Sequence, residues 1–138
     1  MRVHIRHQGK LVLSDVIFAN TFWSRLCGYM FRKTPHASAI LFEPANAMQT
    51  TFMHFDLDII FLTRDNEVVK VLRNVRPWRH TWFYPKVRKA LEIPSGTLKG
   101  EIREGEKLEV DQCPVGASMR SSRKNAANSE RPESPDFE

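Results

Sequence analysis

The chain has 138 residues, a formal charge of +5, and 27% charged against 41% hydrophobic residues, which is one domain's worth of sequence. No window approaches the roughly 20 consecutive apolar residues of a membrane span. Cys27 and Cys113 are far apart and fit no CxxC pattern. A disulfide scaffold and a zinc ribbon are therefore excluded, and the cysteines read as thiols of a reducing compartment. The amino terminus lacks the apolar centre of a signal peptide, so the expected location is cytoplasmic.

In chain order, Val3 to Ile5 and Leu11 to Val16 alternate with strand period around Gln8-Gly9, which predicts a hairpin. Asn20 or Thr21 then caps a predicted helix that places Phe22, Leu26, Tyr29 and Met30 on one face, with Trp23 beside them. Gly28 inside it implies close backbone packing. Arg32 to Pro35 ends the helix, and Ala39 to Phe42 is a short apolar strand bounded by Pro44.

The run Thr51 to Leu62 is the most informative segment. Read as a strand, it points Met53, Phe55 and Leu57 one way and His54, Asp56 and Asp58 the other. Its second half is apolar on both faces, so Asp58 stands where a polar edge meets the core. An Asp65-Asn66 turn followed by Val68 to Leu72 completes a second hairpin. From Asn74 to Val87 the period is lost, and a loop of that length in a small domain is usually functional or mobile. Ala90 to Ile93 is a strand stopped by Pro94-Ser95-Gly96, Thr97 to Gly105 has room for one helical turn, and Lys107 to Val110 is a last strand. Residues 117–138 contain Met119 and Phe137 as their only large apolar side chains, which predicts a domain over 1–116 and a disordered tail over 117–138. The expected fold class is α+β, a curled, barrel-like, mostly antiparallel sheet of about seven or eight short strands with one principal helix.

Four blocks of this chain resemble the DUF192 (UPF0127) family. They are Ala19 with Arg25-Leu26-Cys27-Gly28-Tyr29-Met30-Phe31-Arg32; Ile40-Leu41-Phe42 leading to Phe52 through Phe61; Val69 to Val75 followed by Arg76-Pro77-Trp78; and Leu91 to Thr97. Tyr29 stands where the family usually has Leu, and Asp56 where Pro is commoner. The likeness runs from about Val12 to Val110. It implies a fold but no mechanism, because the family carries no agreed activity. Some members resemble exported or lipid-anchored proteins, which the amino terminus of this chain does not.

The candidate chemistry is sparse. His4 and His7 fall on opposite faces of a strand, and His54, Asp56 and Asp58 on one face would be roughly 6.5–7 Å apart, so neither set predicts a metal site. No cofactor is expected, and Cys27 has no evident activating partner. Asp58 with His54 is a weak acid–base pair; the structural alternative has Asp58 paired with Arg25 or Arg32, or accepting backbone N–H groups. Glu92 reads as a rim residue facing away from Leu91 and Ile93.

Between Val68 and Leu91 there are seven Lys or Arg residues and no acid, interleaved with Trp78, Trp82, Phe83 and Tyr84. Such an interval attracts anions, unless it is only a solvated rim whose aromatics cover the core. Met53, Phe55 and Trp78 form the expected apolar floor of a ligand site, with Arg32, Arg76 and Arg79 as anion contacts. The expected function is a monomeric, non-catalytic binding module for a small anionic or sugar-like ligand or a macromolecular partner. Two alternatives stay open: a hydrolase-like or isomerase-like enzyme using Asp58 and His54, and a nucleic-acid binder using residues 70–89.

Overall fold

The computed structural model describes residues 2–20, 34–35 and 37–112. These residues form one sheet of seven strands: β1 (Arg2–His7), β2 (Lys10–Ala19), β3 (Ala39–Phe42), β4 (Leu57–Leu62), β5 (Val68–Val75), β6 (Lys89–Pro94) and β7 (Leu108–Gln112). Their spatial order is β5-β4-β6-β3-β2-β1-β7. The pairing of β2 with β3 is parallel and every other ladder is antiparallel. The β1–β2 hairpin closes through Gln8 and Gly9 at φ 52° and 77°, the two left-handed positions that a two-residue primed turn requires.

The expected α+β class is corrected. All regular structure among the described residues is strand, and residues 97–105, where a helical turn was expected, hold only turns and bends. The segment expected to form the principal helix, 22–30, lies outside the described residues, as does the predicted tail. Among the described residues no helix is long and apolar enough to cross a membrane.

The sheet curls until its two edges meet. Val68 N–H donates to Glu106 C=O (2.8 Å), Gly105 N–H to Val68 C=O (2.8 Å) and Leu108 N–H to Asn66 C=O (2.9 Å), stitching the start of β5 to the entry of β7. Beside this seam the His7 ring meets the Glu106 carboxylate, which also accepts the Arg103 N–H at 2.8 Å. Both contacts hold the Glu106 carboxyl below its usual range. Inside the curl every strand contributes to one core, in which Ile5, Leu13, Leu41, Ile60, Leu91 and Leu108 are fully buried or nearly so. Leu98 and Ile102 plug it from the β6–β7 connection.

The central strands are buried on their outer faces as well. Ile40, Phe42, Leu57, Ile59, Phe61 and Ala90 belong to a second core on the convex side. Strands covered on both faces read as unbroken apolar runs, which explains Ile59-Ile60-Phe61-Leu62. Only the second half of the informative run is strand, however. Phe52 sits at φ 61° and Met53 N–H turns back to Thr50 C=O at 3.2 Å. Met53 is nonetheless buried and His54 and Asp56 exposed, so the polar–apolar alternation of 51–56 reports burial without strand pairing.

Asp58 fastens three segments. Its Oδ1 accepts the backbone N–H of Asn74 (2.9 Å) and the hydroxyl of Ser95 (3.0 Å), and its Oδ2 meets the Arg73 guanidinium at 3.1 Å. Arg73 also donates to Gly100 C=O at 3.2 Å. The cation at Asp58 thus comes from β5, whereas Arg25 and Arg32 lie outside the described residues. Replacing Asp58 with Ala removes the acceptor of the Asn74 N–H and the Ser95 hydroxyl and leaves the Arg73 guanidinium with Gly100 C=O alone. The expected cost is about 2–3 kcal/mol, read as a lowered urea midpoint, and smaller than for a fully buried pair because the Arg73 side chain is 37% exposed.

Candidate functional site

The convex core needs a cover, and two connections that lack regular strand supply it. Residues 45–50 and 79–88 run antiparallel as a ribbon across the outer face. Ala45 N–H donates to Arg88 C=O (2.9 Å), Tyr84 N–H to Asn46 C=O (3.0 Å), Thr81 N–H to Met48 C=O (2.8 Å) and Thr50 N–H to Arg79 C=O (2.7 Å). Met48 and Tyr84 press inward from this ribbon onto the sheet, with Met53 and Phe55 beside them from the following turn, and Tyr84 meets Phe61 at a tilt with ring centroids 4.9 Å apart. The long stretch after β5 is therefore anchored through its backbone along most of its course.

Thr50 pins the open end of the ribbon. Its buried hydroxyl donates to Arg76 C=O (2.7 Å) with Arg79 C=O nearby at 3.2 Å, and accepts the Arg79 N–H (2.9 Å). Its carbonyl accepts the Trp78 N–H at 2.9 Å. One small side chain thereby replaces the hydrogen-bonding partners that a tight turn at 76–79 would otherwise lack.

That turn displays aromatic rings to solvent. Trp78 (60% exposed) and Phe52 (43%) meet edge to face with centroids 4.7 Å apart, while Trp82 (84%) and Phe83 (61%) protrude further along the ribbon. Phe52 and Trp78 both have left-handed backbones, at φ 61° and 63°. For bulky residues this conformation is strained by about 1–3 kcal/mol each, and strain of that kind gathers at functional sites. Arg76, Arg79, His80, Lys86 and Arg88 lie between and beside these rings, all exposed. Among the described residues none of these Arg and Lys side chains makes an ion pair. At the far end of the ribbon a cavity of about 300 Å³ is lined by Glu43, Pro44, Arg64 and Arg88.

The convex side of β6 holds a buried acid. Glu92 on β6 stands opposite Ile40 of β3 and Ile59 of β4, in the middle of the convex core. The expectation of a rim residue is corrected: two-sided burial of β6 places the side chain opposite Leu91 and Ile93 in an interior of its own. Burial pushes its carboxyl up to about 8, so it is uncharged at neutral pH. Among the described residues no cation or hydrogen-bond donor reaches it.

The structure separates the expected site into layers. Met53 and Phe55 belong to the convex core, Trp78 stands outside it, and Phe52 takes the place beside Trp78 that had been given to Met53. Arg76 and Arg79 lie exposed on either side of Trp78 in the chain, and Arg32 lies outside the described residues. His54 is exposed and makes no hydrogen bond to Asp58, whose oxygens are taken by Arg73, Asn74 and Ser95. The alternative in which the aromatics cover the core holds for Tyr84 and fails for Trp78, Trp82 and Phe83. Thr50 escaped notice because a lone threonine carries no motif; only the tertiary pairing reveals it.

Comparisons with known proteins agree on the fold and the family. The model of the DUF192 family, described as "Uncharacterized ACR", matches residues 3–110. A UPF0127 protein of Pyrococcus furiosus is 34% identical over 111 residues, covering 74% of this chain and 91% of the relative. Among solved structures, a protein of unknown function from Novosphingobium aromaticivorans matches with a TM-score of 0.64 at 22% identity, over 79% of this chain and 84% of that one. A Sinorhizobium meliloti protein described as a "putative transcription regulator" matches with a TM-score of 0.62 at 25% identity, over 79% and 92%.

Two measurements check this layering. Thr50→Val, nearly isosteric, strands the Arg79 N–H and the Arg76 carbonyl. It should cost about 1–3 kcal/mol and abolish hydrogen-exchange protection at Arg79 while sparing the β4–β6 amides. Glu92 supplies a pH signature. Its folded pKa lies above the ordinary 4.5, so the native state keeps a proton that the unfolded chain has already lost between 4.5 and about 8. This contribution is fully present below 4.5, declines by about 1.4 kcal/mol per pH unit through that window, and levels off above about 8. Glu92→Gln should flatten that decline, and urea midpoints followed from about pH 5 to 9 will show it.

Proposed function

The chain belongs to the DUF192 family, and we propose that it serves as a non-catalytic binding module whose anionic partner is received on the outer ribbon. The observation that carries this reading is the exposure of Trp78, Trp82 and Phe83 on a segment hydrogen-bonded to Thr50 at its turn and to Met48 and Asn46 beyond it. Aromatic rings left in water on an ordered frame are surplus to folding, and large exposed aromatic surface is the usual mark of an interaction site. The surrounding cations lack carboxylate partners among the described residues, so they remain available to an anion.

The enzyme alternative loses its proton acceptor, because Asp58 uses both carboxylate oxygens to tie β4, β5 and the turn after β6 together. The ribbon face has the opposite character. It is open, cationic and rich in exposed aromatic rings, which suits recognition.

Heparin, a flexible polyanion without aromatic groups, serves as a probe of the electrostatic part of this reading. It should raise the melting temperature of the wild type. An Arg76→Ala, Trp78→Ala double variant should lose part of that shift, yet melt within about 2–4 °C of the wild type without heparin, since both side chains are exposed. A large fall in the unliganded melting temperature would assign the turn to stability instead.

A further inference from the structure

Resting on that reading, we infer that the occupant of the ribbon is a single-stranded nucleic acid whose bases stack on Trp78, Trp82 and Phe83 and whose phosphates meet Arg76, Arg79, Lys86 and Arg88. Three features of the face point there. The first is its chemistry: every large exposed hydrophobic side chain on the ribbon and the adjoining turn is aromatic. Leu11, the remaining large exposed apolar residue, lies on β2. A loop built to enter a lipid surface mixes aliphatic with aromatic side chains, because its reward is buried apolar volume. Rings alone suit partners that are themselves planar, and every base offers a stacking face.

The second feature is order along the chain. From Arg76 to Arg88 cations and rings succeed one another as Arg76, Trp78, Arg79, Trp82, Phe83, Lys86 and Arg88 without an acid among them. A single strand has the matching alternation of charged backbone and flat base. Glu43, which lines the cavity with Arg64 and Arg88, is the first carboxylate met along the ribbon and marks where a polyanion's path ends.

The third is shape. The bridge between Gln49 and His80 and the hydrogen bonds between residues 45–50 and 79–88 hold the two segments side by side as one frame. The strained backbones at Phe52 and Trp78 hold one ring pair at the start of that path. Double-stranded DNA would conceal the base faces that the rings are placed to meet, so a single strand is favoured over a duplex.

The test is fluorescence anisotropy of the full chain with labelled oligothymidylate and oligouridylate of about ten nucleotides, with a duplex of the same length, heparin and phosphatidylglycerol vesicles as comparisons. Single strands should bind more tightly than the duplex. Affinity should fall about 50-fold on raising monovalent salt fourfold, the slope expected when about four cations release counterions. Trp82→Ala and Phe83→Ala, at positions too exposed to disturb folding, should each weaken binding about 5- to 100-fold while leaving heparin binding nearly unchanged.

Single strands that bind no better than heparin, or whose binding ignores Trp82 and Phe83, overturn this inference while leaving the anion-binding module standing. Absence of binding to heparin and oligonucleotide alike overturns both. Sedimentation with vesicles in the absence of oligonucleotide binding overturns it in favour of a lipid headgroup surface.

Discussion

Two-sided burial of β3, β6 and β4 is the constraint from which the rest of this molecule follows. A curled sheet needs only its concave face filled, and here all seven strands fill it. The central strands also carry Ile40, Phe42, Leu57, Ile59, Phe61 and Ala90 on the convex side. At about 25 cal/mol per Å² of apolar surface, leaving that face in water would cost many kcal/mol. Chain that makes no regular strand must therefore lie over it, and that chain brings backbone N–H and C=O groups that also need partners. The pairing of 45–50 with 79–88 and the Thr50 hydroxyl meet that second demand. The cover is thus ordered by hydrogen bonds and seated by Met48, Met53, Phe55 and Tyr84.

Once the cover is ordered, its outer side becomes a rigid platform at no further cost in chain entropy. The division of labour along 76–84 follows. Tyr84 points in and meets Phe61, while Trp78, Trp82 and Phe83 point out. If the segment existed only to cover the convex core, polar residues would serve better at those outward positions. The left-handed backbones of Phe52 and Trp78 sharpen the point, because asparagine or glycine would relieve the strain and still complete the turn.

The sheet was largely legible in the sequence and its cover was not. Period-two alternation identified the first hairpin, apolar segments on both sides of Asp65-Asn66 identified the second, and the unbroken apolar run at Ile59 to Leu62 announced a strand with no wet face. Alternation misled over Thr51 to Asp56, where an inside–outside rhythm accompanies a turn, because burial alternates whenever a chain crosses a surface in extended steps. Glu92 misled for the converse reason. A charged residue flanked by Leu91 and Ile93 normally faces water, and only the sheet order, which sets β6 between β4 and β3, reveals that its outer face is covered. The cation for Asp58 was sought in the preceding segment. The hairpin register delivers Arg73 and the Asn74 amide to it instead, a contact that follows from strand pairing and leaves no local signature.

Glu92 connects the two layers of the outer half. A carboxyl whose proton is held by burial forms part of the convex core only while it stays neutral. Above about pH 8 the same side chain places a negative charge in the convex core, between Ile40 and Ile59 where nothing described can solvate it. Alkaline conditions should therefore loosen the convex core, whose cover lacks a continuous strand ladder, before the concave core, which makes the convex side one energetic unit. The concave core, enclosed by all seven strands and stitched at the β5–β7 seam, stands apart from that unit and anchors the sheet on which the ribbon rests.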